Sequence, residues 1–361
     1  MGKLLILTNS SDGLYSFRNE LLQRLLQEHT VMVSLPDELF VKELKEEGVE
    51  VITTPMSRRG MNPFQDLKLY FAYRKLIKEN RPDLVLLYTI KPNIYGGMAC
   101  RGRKVPYMAT VTGLGSTFQK VGFLKKMIVT MYRMGLKKAK CIFFQNEENR
   151  QVFSDCRISG EKSILVAGSG VNLNKHTPEP YPETDETRFL FVGRIMKEKG
   201  IGEFLTAAEA LKDEKTFFEV VGYYDDNYRQ AMEEAVNKGI ITYHGFQQNV
   251  HEFIKNASVL VLPTYHEGMS NVLMEASATA RPVIASNISG CREIFTDGVT
   301  GFACEPQNAE SLIEAMKHFL LLNREQRAEM GQKAREKMER EFDRNAIIDV
   351  YINEMKKYLA K

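Results

Sequence analysis

The sequence predicts an α/β protein built from two doubly wound parallel-sheet domains. Three observations carry this prediction. Short apolar, β-rich runs alternate with segments of helical period along most of the chain. Two such series are separated by a polar, proline-bearing stretch. A chain of 361 residues also exceeds what a single hydrophobic core usually holds.

The first series of strand patterns comprises Lys3 to Thr8, Val31 to Ser34, Val49 to Thr53, Leu84 to Tyr88, Tyr107 to Val111, Cys141 to Phe144 and Ser163 to Val166. Segments of helical period separate them, such as Phe17 to Leu26 and Asp66 to Ile77. Strand, helix, strand in repetition is the pattern of a parallel sheet with crossover helices. The stretch from His176 to Glu186 carries three prolines and no periodicity, and reads as a linker. A second series follows: Arg188 to Val192, Phe217 to Val221, Ile241 to Tyr243, Val259 to Leu262, Val283 to Ala285 and Gly301 to Cys304. From Ser311 onward the pattern is helical and highly charged.

Hydrophobic content of 43% and charged content of 26% are ordinary for a globular protein. No apolar stretch approaches membrane-spanning length, and the N-terminus runs straight into a strand pattern, so no signal peptide is expected. The five cysteines, Cys100, Cys141, Cys156, Cys291 and Cys304, are scattered and lack Cys-x-x-Cys spacing. Free packing thiols of a reducing cytoplasm are expected, without a zinc site or a disulfide framework. The net charge of +3 conceals an asymmetry. Up to residue 180 there are 27 Lys+Arg against 17 Asp+Glu, and beyond it 22 against 29. The basic half is suited to an anionic partner.

The segment Glu267-Gly268-Met269-Ser270-Asn271-Val272-Leu273-Met274-Glu275 follows the strand pattern ending at Pro263 and places two carboxylates eight residues apart. Asn271 reads as the cap of a helix, so Glu267 belongs to a loop at a strand's carboxyl end and Glu275 to the helix's second turn. Backbone N–H groups around Met269 to Val272 would point between them, a ready site for phosphate. Carboxylates are suited to accept hydrogen bonds from hydroxyls, and phosphates flanked by hydroxyl-rich groups describe a nucleotide sugar. The bland alternative is two solvated surface charges.

Other strand ends supply further candidates. Gly193 to Gly200 places Arg194 and Lys199 on one loop, where two cations could neutralise a diphosphate. Gly222 opens the turn before Asp225-Asp226 and permits close backbone approach. The two aspartates lack a third ligand and read as a solvated turn, so no metal site is expected. In the first domain, Gly13 lies in the turn Ser10 to Tyr15 that joins the first strand to the first helix.

The Arg194 and Lys199 loop, the Gly222 turn and above all the Glu267 to Glu275 segment resemble the family 4 retaining glycosyltransferases of GT-B architecture, in which two Rossmann-like domains face across a cleft. Ser57 to Phe64 and Val111 to Ser116 look like the bacterial members that extend polyprenyl-diphosphate-linked sugars, and most of all like their α-1,3-N-acetylgalactosaminyltransferases.

The resemblance implies residues 1–170 as an acceptor-binding domain, residues 171–342 as a nucleotide-sugar-binding domain, and a final helix at about 343–361 packing back on the first. It implies that Arg194 and Lys199 hold the donor diphosphate and stabilise its departure, that Glu267 contacts the transferred sugar, and that Glu275 accepts from the ribose hydroxyls. Gly222, Gly268 and the backbone of Met269, Ser270, Asn271 and Val272 would line the donor pocket, with Gly13 approaching the diphosphate. Arg58, Arg59, Thr112 and Gly113 are the acceptor-side candidates. The donor is expected to be a nucleotide diphosphate sugar, with a UDP-sugar favoured, and the acceptor lipid-linked or a saccharide, with no cofactor and no metal. One departure stands out: many relatives carry a histidine after the fifth strand, where this chain reads Val111-Thr112-Gly113. Threonine is no base near neutral pH.

From Leu84 to Asn146 the chain has no Asp or Glu but eleven Lys and Arg. The later ones interleave with apolar residues, so residues 118–140 read as a basic amphipathic segment able to rest on anionic lipid. The alternative is a core helix with solvated lysines. Peripheral attachment to the inner face of the cell membrane is therefore expected, and nucleic acid is not, because the acidic half would repel it. Two other functions fit the same pattern: a GT-B nucleotide-sugar epimerase, which the basic segment disfavours, and a non-catalytic nucleotide-sugar binder, which the intact Arg194, Lys199, Glu267 and Glu275 disfavour. A dehydrogenase is weaker still, since no Gly-x-Gly-x-x-Gly opens a helix.

Overall fold

The structure is a computed structural model and describes residues 2–57, 62–114, 118, 122–225 and 227–359. The chain divides into two compact units, Met1–Ser169 with Asn345–Lys361, and Gly170–Arg344.

Unit 1 alternates strand and helix in the order β1 (Gly2–Leu7), α1 (Ser11–Leu26), β2 (His29–Leu35), α2 (Val41–Glu46), β3 (Glu50–Thr53), α3 (Pro63–Asn80), β4 (Leu84–Tyr88), α4 (Gly97–Arg103), β5 (Tyr107–Val111), α5 (Phe123–Leu136), β6 (Cys141–Phe144), α6 (Glu147–Asp155) and β7 (Ser163–Leu165). A single π turn, Pro92–Gly96, leads into α4. Its seven strands are parallel, in the order β3-β2-β1-β4-β5-β6-β7. Alternate residues feed opposite faces. Leu5, Leu7, Val85 and Leu87 pack with α3, α4 and α5, while Leu4, Ile6, Leu84 and Leu86 pack with α1 and the chain's last helix. Coverage on both faces is why these strands are continuous apolar runs in the sequence.

Unit 2 holds β8 (Thr187–Val192), α7 (Ile201–Leu211), β9 (Thr216–Val221), α8 (Arg229–Asn237), β10 (Thr242–Tyr243), α9 (His251–Asn256), β11 (Val259–Leu262), α10 (Asn271–Ala278), β12 (Val283–Ser286), β13 (Gly301–Cys304), α11 (Ala309–Leu320) and α12 (Arg324–Glu341). Its parallel sheet runs β10-β9-β8-β11-β12-β13. The order reverses between β8 and β11, so the crevice outside their carboxyl ends is this sheet's natural ligand site. The last helix, α13 (Arg344–Leu359), buries Ile347, Ile348, Tyr351 and Met355 in the core of unit 1.

Two local expectations need correction, and a third is narrowed. The stretch 176–186 is not a linker but a strap bound to unit 2. The guanidinium of Arg281, fully buried, donates to the carbonyls of Glu179 at 2.9 Å and Pro180 at 2.7 Å, and Arg335 donates to that of His176 at 2.7 Å. Proline there marks a chain that cannot join a sheet, yet side chains elsewhere satisfy its carbonyls. The first helix also begins six residues earlier than its apolar period suggests, at Ser11. Ser10 caps it by accepting from the Gly13 amide at 3.3 Å, so Gly13 sits inside the helix's first turn rather than in a loop. Finally, the apolar side of α5 is mostly spent inward, with Ile128, Val129, Tyr132 and Leu136 buried in the core. Among the described residues no helix is long and apolar enough to cross a membrane.

Candidate active site

Both loops at the β8/β11 switch point carry predicted site residues. After β8, the chain passes Gly193 and Arg194 and closes a short 3-10 turn, Lys197–Lys199, before α7. After β11 it runs from Pro263 to Ser270, the cap position of α10. The two loops are tied together by the Glu198 carbonyl, which accepts from the Tyr265 amide at 2.9 Å and the Thr264 hydroxyl at 3.0 Å. That tie brings Lys199 and Glu267, 68 residues apart, into an ion pair between side chains only 19% and 13% exposed.

Arg194 is placed by a second tie. Beyond the sheet the loops after β8 and β9 continue to pair: the Ile195 amide donates to Tyr223 at 2.8 Å and the Asp225 amide to Ile195 at 3.2 Å. Arg194 Nη1 then meets Asp225 Oδ2 at 2.6 Å. Asp225 is therefore a partner of the candidate diphosphate cation rather than a residue of a solvated turn. Gly222 is needed for this closure, because at φ +154° an added Cβ would stand 1.8 Å from the Gly193 carbonyl oxygen. Its close approach is to protein backbone. Asp226 lies outside the described residues.

The loop after β12 supports Glu267 from its other side. Gly290, at φ +88°, sits so near that a Cβ would lie 2.8 Å from the Glu267 carbonyl oxygen. The Gly290 carbonyl accepts from the Ser270 amide at 2.9 Å, so that amide is engaged within the protein and is not open to a phosphate. Glu293 holds this loop, accepting from the Gly290 amide at 2.7 Å and from the Ser289 hydroxyl at 2.9 Å. Ser289, Gly290 and Glu293 are not among the site residues expected from the sequence. A glycine followed three residues later by a carboxylate, directly after a buried strand, was the available signal.

Glu275 and Glu267 end in different surroundings. Ser270, not Asn271, occupies the cap position of α10, and its side chain makes no capping bond. Asn271 and Val272 are half-buried, and Met269 and Ser270 are buried. Glu275, 17% exposed, has its pKa pushed up to about 7 by burial, against the pull of Arg344 and Lys175. His176 Nε2 lies 4.0 Å from Glu275 Oε1. Burial, with Lys175, His251 and Arg344 nearby, holds the His176 pKa down at about 3, so the imidazole is neutral and the contact is no salt bridge. Among the described residues its buried Nδ1 has no hydrogen-bond partner. Nothing in the local sequence pointed from residue 176 to Glu275.

In unit 1 the candidates are more scattered. Gly13 follows an occupied helix terminus, where the Ser11 amide donates to the Asp37 carboxylate at 3.0 Å. An anion at that terminus would compete with Asp37. Thr112 and Gly113 lie just past β5, Gly113 at φ +145°. Arg58 and Arg59 fall outside the described residues. Among the described residues, no three His, Cys, Asp or Glu side chains gather where they could hold a metal ion.

Comparison with known proteins fits this geometry. The family profile "Glycosyl transferases group 1" matches residues 174–337, and "Glycosyl transferase 4-like" matches residues 3–146. An uncharacterized glycosyltransferase of Methanocaldococcus jannaschii is 31% identical, over 75% of this chain and 74% of its own. The chain belongs to the family 4, group 1 glycosyltransferases. The Campylobacter jejuni N,N'-diacetylbacillosaminyl-diphospho-undecaprenol alpha-1,3-N-acetylgalactosaminyltransferase is a similar relative, 28% identical over 96% of each chain. Among solved structures, Anabaena HepE in complex with UDP-glucose shares the fold with a TM-score of 0.82 at 17% identity, covering 99% of this chain and 100% of its own. The two parallel-sheet units are accordingly those of a GT-B glycosyltransferase. As a member of this family the enzyme is a retaining glycosyltransferase.

Proposed function

We propose that this glycosyltransferase moves a hexose or N-acetylhexosamine, with retention, from a UDP-sugar to a polyprenyl-diphosphate-linked sugar in bacterial glycan assembly. The observation that carries the proposal is the meeting of Lys199 with Glu267 at the carboxyl ends of β8 and β11, with Arg194 on the same loop as Lys199. Two half-buried cations and a carboxylate at a switch point match a diphosphate joined to a hydroxyl-rich ring. The Campylobacter relative is named for an undecaprenyl-diphosphate-linked acceptor, and an Escherichia coli relative, 26% identical, is named for a UDP-galactose donor.

In this reading Arg194 and Lys199 neutralise the diphosphate and stabilise the charge that grows on it as the C1–O bond breaks. Each would leave its carboxylate partner, or share it, when the donor binds. Glu267 accepts from hydroxyls of the transferred sugar, and Glu275 from those of the ribose. Gly222, Gly268 and the backbone of Met269 to Val272 border the same pocket. The acceptor oxygen bonds to C1 on the face the diphosphate leaves, and its proton passes to an oxygen of the departing phosphate. No protein base is then required, which fits a chain with Thr112 after β5. Thr112, Gly113, Arg58, Arg59 and Gly13 are assigned to unit 1's share of substrate binding, and the basic helices of that unit to the membrane surface where a polyprenyl acceptor resides.

The test is a transfer assay across UDP-, GDP- and ADP-sugars with a short polyprenyl-diphosphate sugar as acceptor, with and without chelator. Transfer from one UDP-hexose or UDP-N-acetylhexosamine that survives chelation supports the reading in full. Absence of transfer from every UDP-sugar, with turnover of another donor, overturns the donor assignment.

A further inference from the structure

Unit 1 contains a cavity that the donor chemistry does not use. It is a half-open recess of about 570 Å³ between α3, the π turn, α4 and α5, within the size range of small-molecule sites. Its walls are apolar and adaptable: Leu67 and Tyr70 from α3, Met98 from α4, and Met127, Met131 and Met134 from α5. Methionine side chains repack around irregular apolar shapes, which suits a flexible hydrocarbon better than a rigid planar ligand.

The charged groups of the cavity wall have partners on neighbouring helices and turns. Asp66, 5% exposed, is paired with Lys91 at 2.8 Å, and Arg101 donates to the Met134 carbonyl at 2.7 Å. Around the cavity the chemistry changes. Phe64, Leu67 and Phe71 line one exposed stripe of α3, at 80%, 53% and 56% exposure, and Phe123 stands exposed at the start of α5. α4 ends on Arg103 with Lys104 as its cap, and α5 carries Lys125 and Lys126 in its first turn, with no acidic residue between 84 and 146. An apolar recess with exposed aromatics on two of its helices and Arg101 in its wall, in a stretch without acidic residues, matches a hydrocarbon chain ending in phosphate.

We propose that this cavity binds the first isoprene units of the polyprenyl-diphosphate acceptor, drawing that part of the chain out of the bilayer while Arg101 and the basic residues of α4 and α5 meet the diphosphate. The assignment rests on the acceptor class proposed above. A bilayer surface alone would be met by the exposed Phe64, Phe71 and Phe123 and would leave the recess between these helices unfilled. A single chain leaving the bilayer fills it. The lipid-linked acceptor is the one lipid that the reaction must bring to the enzyme.

Gly102 offers a clean test. It lines the cavity, and a Cβ added to it meets only the Tyr70 hydroxyl, at 3.9 Å. Gly102→Leu therefore fills the recess without backbone strain, and Met131→Trp fills it from α5. Two acceptors with the same diphospho-sugar head are compared, one carrying a polyprenyl chain and one a short water-soluble alkyl group, together with equilibrium binding of a fluorescent farnesyl diphosphate. The wild-type enzyme is expected to prefer the polyprenyl acceptor by about tenfold or more in kcat/KM. Both variants should lose most of that preference, keep transfer to the short acceptor within about twofold, and bind the farnesyl probe about tenfold more weakly.

Variants that retain the full chain preference, with transfer intact, overturn the cavity while leaving the transferase reading standing. A wild-type enzyme that glycosylates neither acceptor, yet binds the farnesyl probe in a manner lost on filling the cavity, sinks the acceptor reading and keeps the isoprenoid site. Equal loss of vesicle binding in the variants with and without polyprenyl lipid would mark a bilayer-contact face and reject the proposal.

Discussion

Lys199 and Glu267 meet as an ion pair across the β8/β11 switch point, although 68 residues separate them. The pair couples the candidate diphosphate cation to the candidate sugar-binding carboxylate, so neither acts independently. Lys199→Ala removes a charge from the leaving group and strands Glu267 in a mostly buried site, and should lower turnover by roughly ten- to a thousandfold. Arg194→Ala should fall in the same range. Glu267→Gln combined with Lys199→Ala should be far less than additive, because the single variants each disrupt one shared unit. Turnover near wild type in both cation variants would remove the diphosphate assignment.

Glu275 gives the enzyme a titration near neutrality. Its pKa rises from the ordinary 4.5 to about 7 because burial disfavours the carboxylate. The folded protein therefore holds a proton between those values that the unfolded chain has released. The stability this group contributes is full below about 4.5 and is lost as pH rises through about 7. Glu275→Gln should flatten the pH dependence of the denaturation midpoint in that window and raise the midpoint above it. Donor binding should move the other way. Ribose hydroxyls donate to the ionised form, so affinity for the intact nucleotide sugar should increase as pH rises through about 7, and the glutamine variant should be weaker and flat. A wild-type donor affinity without inflection between pH 5 and 9, read by calorimetry at about half-unit steps, would reject the ribose role.

Membrane recruitment through unit 1 should be dominated by charge. The main apolar stripe of α5 is buried in the unit's own core, leaving little helix face for insertion. Binding to anionic vesicles should therefore be strong at low ionic strength and largely lost near 1 M salt, where the screening length is only about 3 Å. Lys125→Glu with Lys126→Glu should weaken it further, while neutral vesicles should bind poorly throughout. Sedimentation that does not depend on salt would point to insertion instead.

The sheets were legible in the sequence because both are parallel and covered on both faces. Leu84 to Tyr88 and Val259 to Leu262 are continuous apolar runs that no surface strand could afford. Arg194, Lys199 and Glu267 were legible because each sits on a loop directly after such a run. What the sequence hid are relationships closed by tertiary packing. Asp225 partners Arg194 only because two loops zip together beyond the sheet. His176 reaches Glu275 only because the strap folds over unit 2. The inward turn of α5's apolar side was equally invisible, since a basic amphipathic helix has the same pattern on a core as on a bilayer.

Arg281 is the strap's anchor and supplies a stability prediction far from the catalytic loops. Its Nη1 donates to Glu179, Thr279 and Ala280 carbonyls at 2.9, 3.2 and 3.2 Å, and its Nη2 to those of Pro180 and Lys255. The Tyr181 ring lies 5.6 Å from the guanidinium carbon. Burial lowers the pKa of Arg281 to about 10, so it remains charged at neutral pH with carbonyl dipoles replacing its water. Methionine has similar length but would leave those carbonyls without their donor, at a cost of about 3 to 5 kcal/mol. Lysine keeps the charge but cannot fan out to carbonyls on three segments at once, so Arg281→Lys should rescue only part of the loss. Denaturant titration of the two variants, with protease cleavage between residues 176 and 186 as a local readout, checks both claims. A loss under about 1 kcal/mol for Arg281→Met, with the strap still resistant, would show that other contacts hold it.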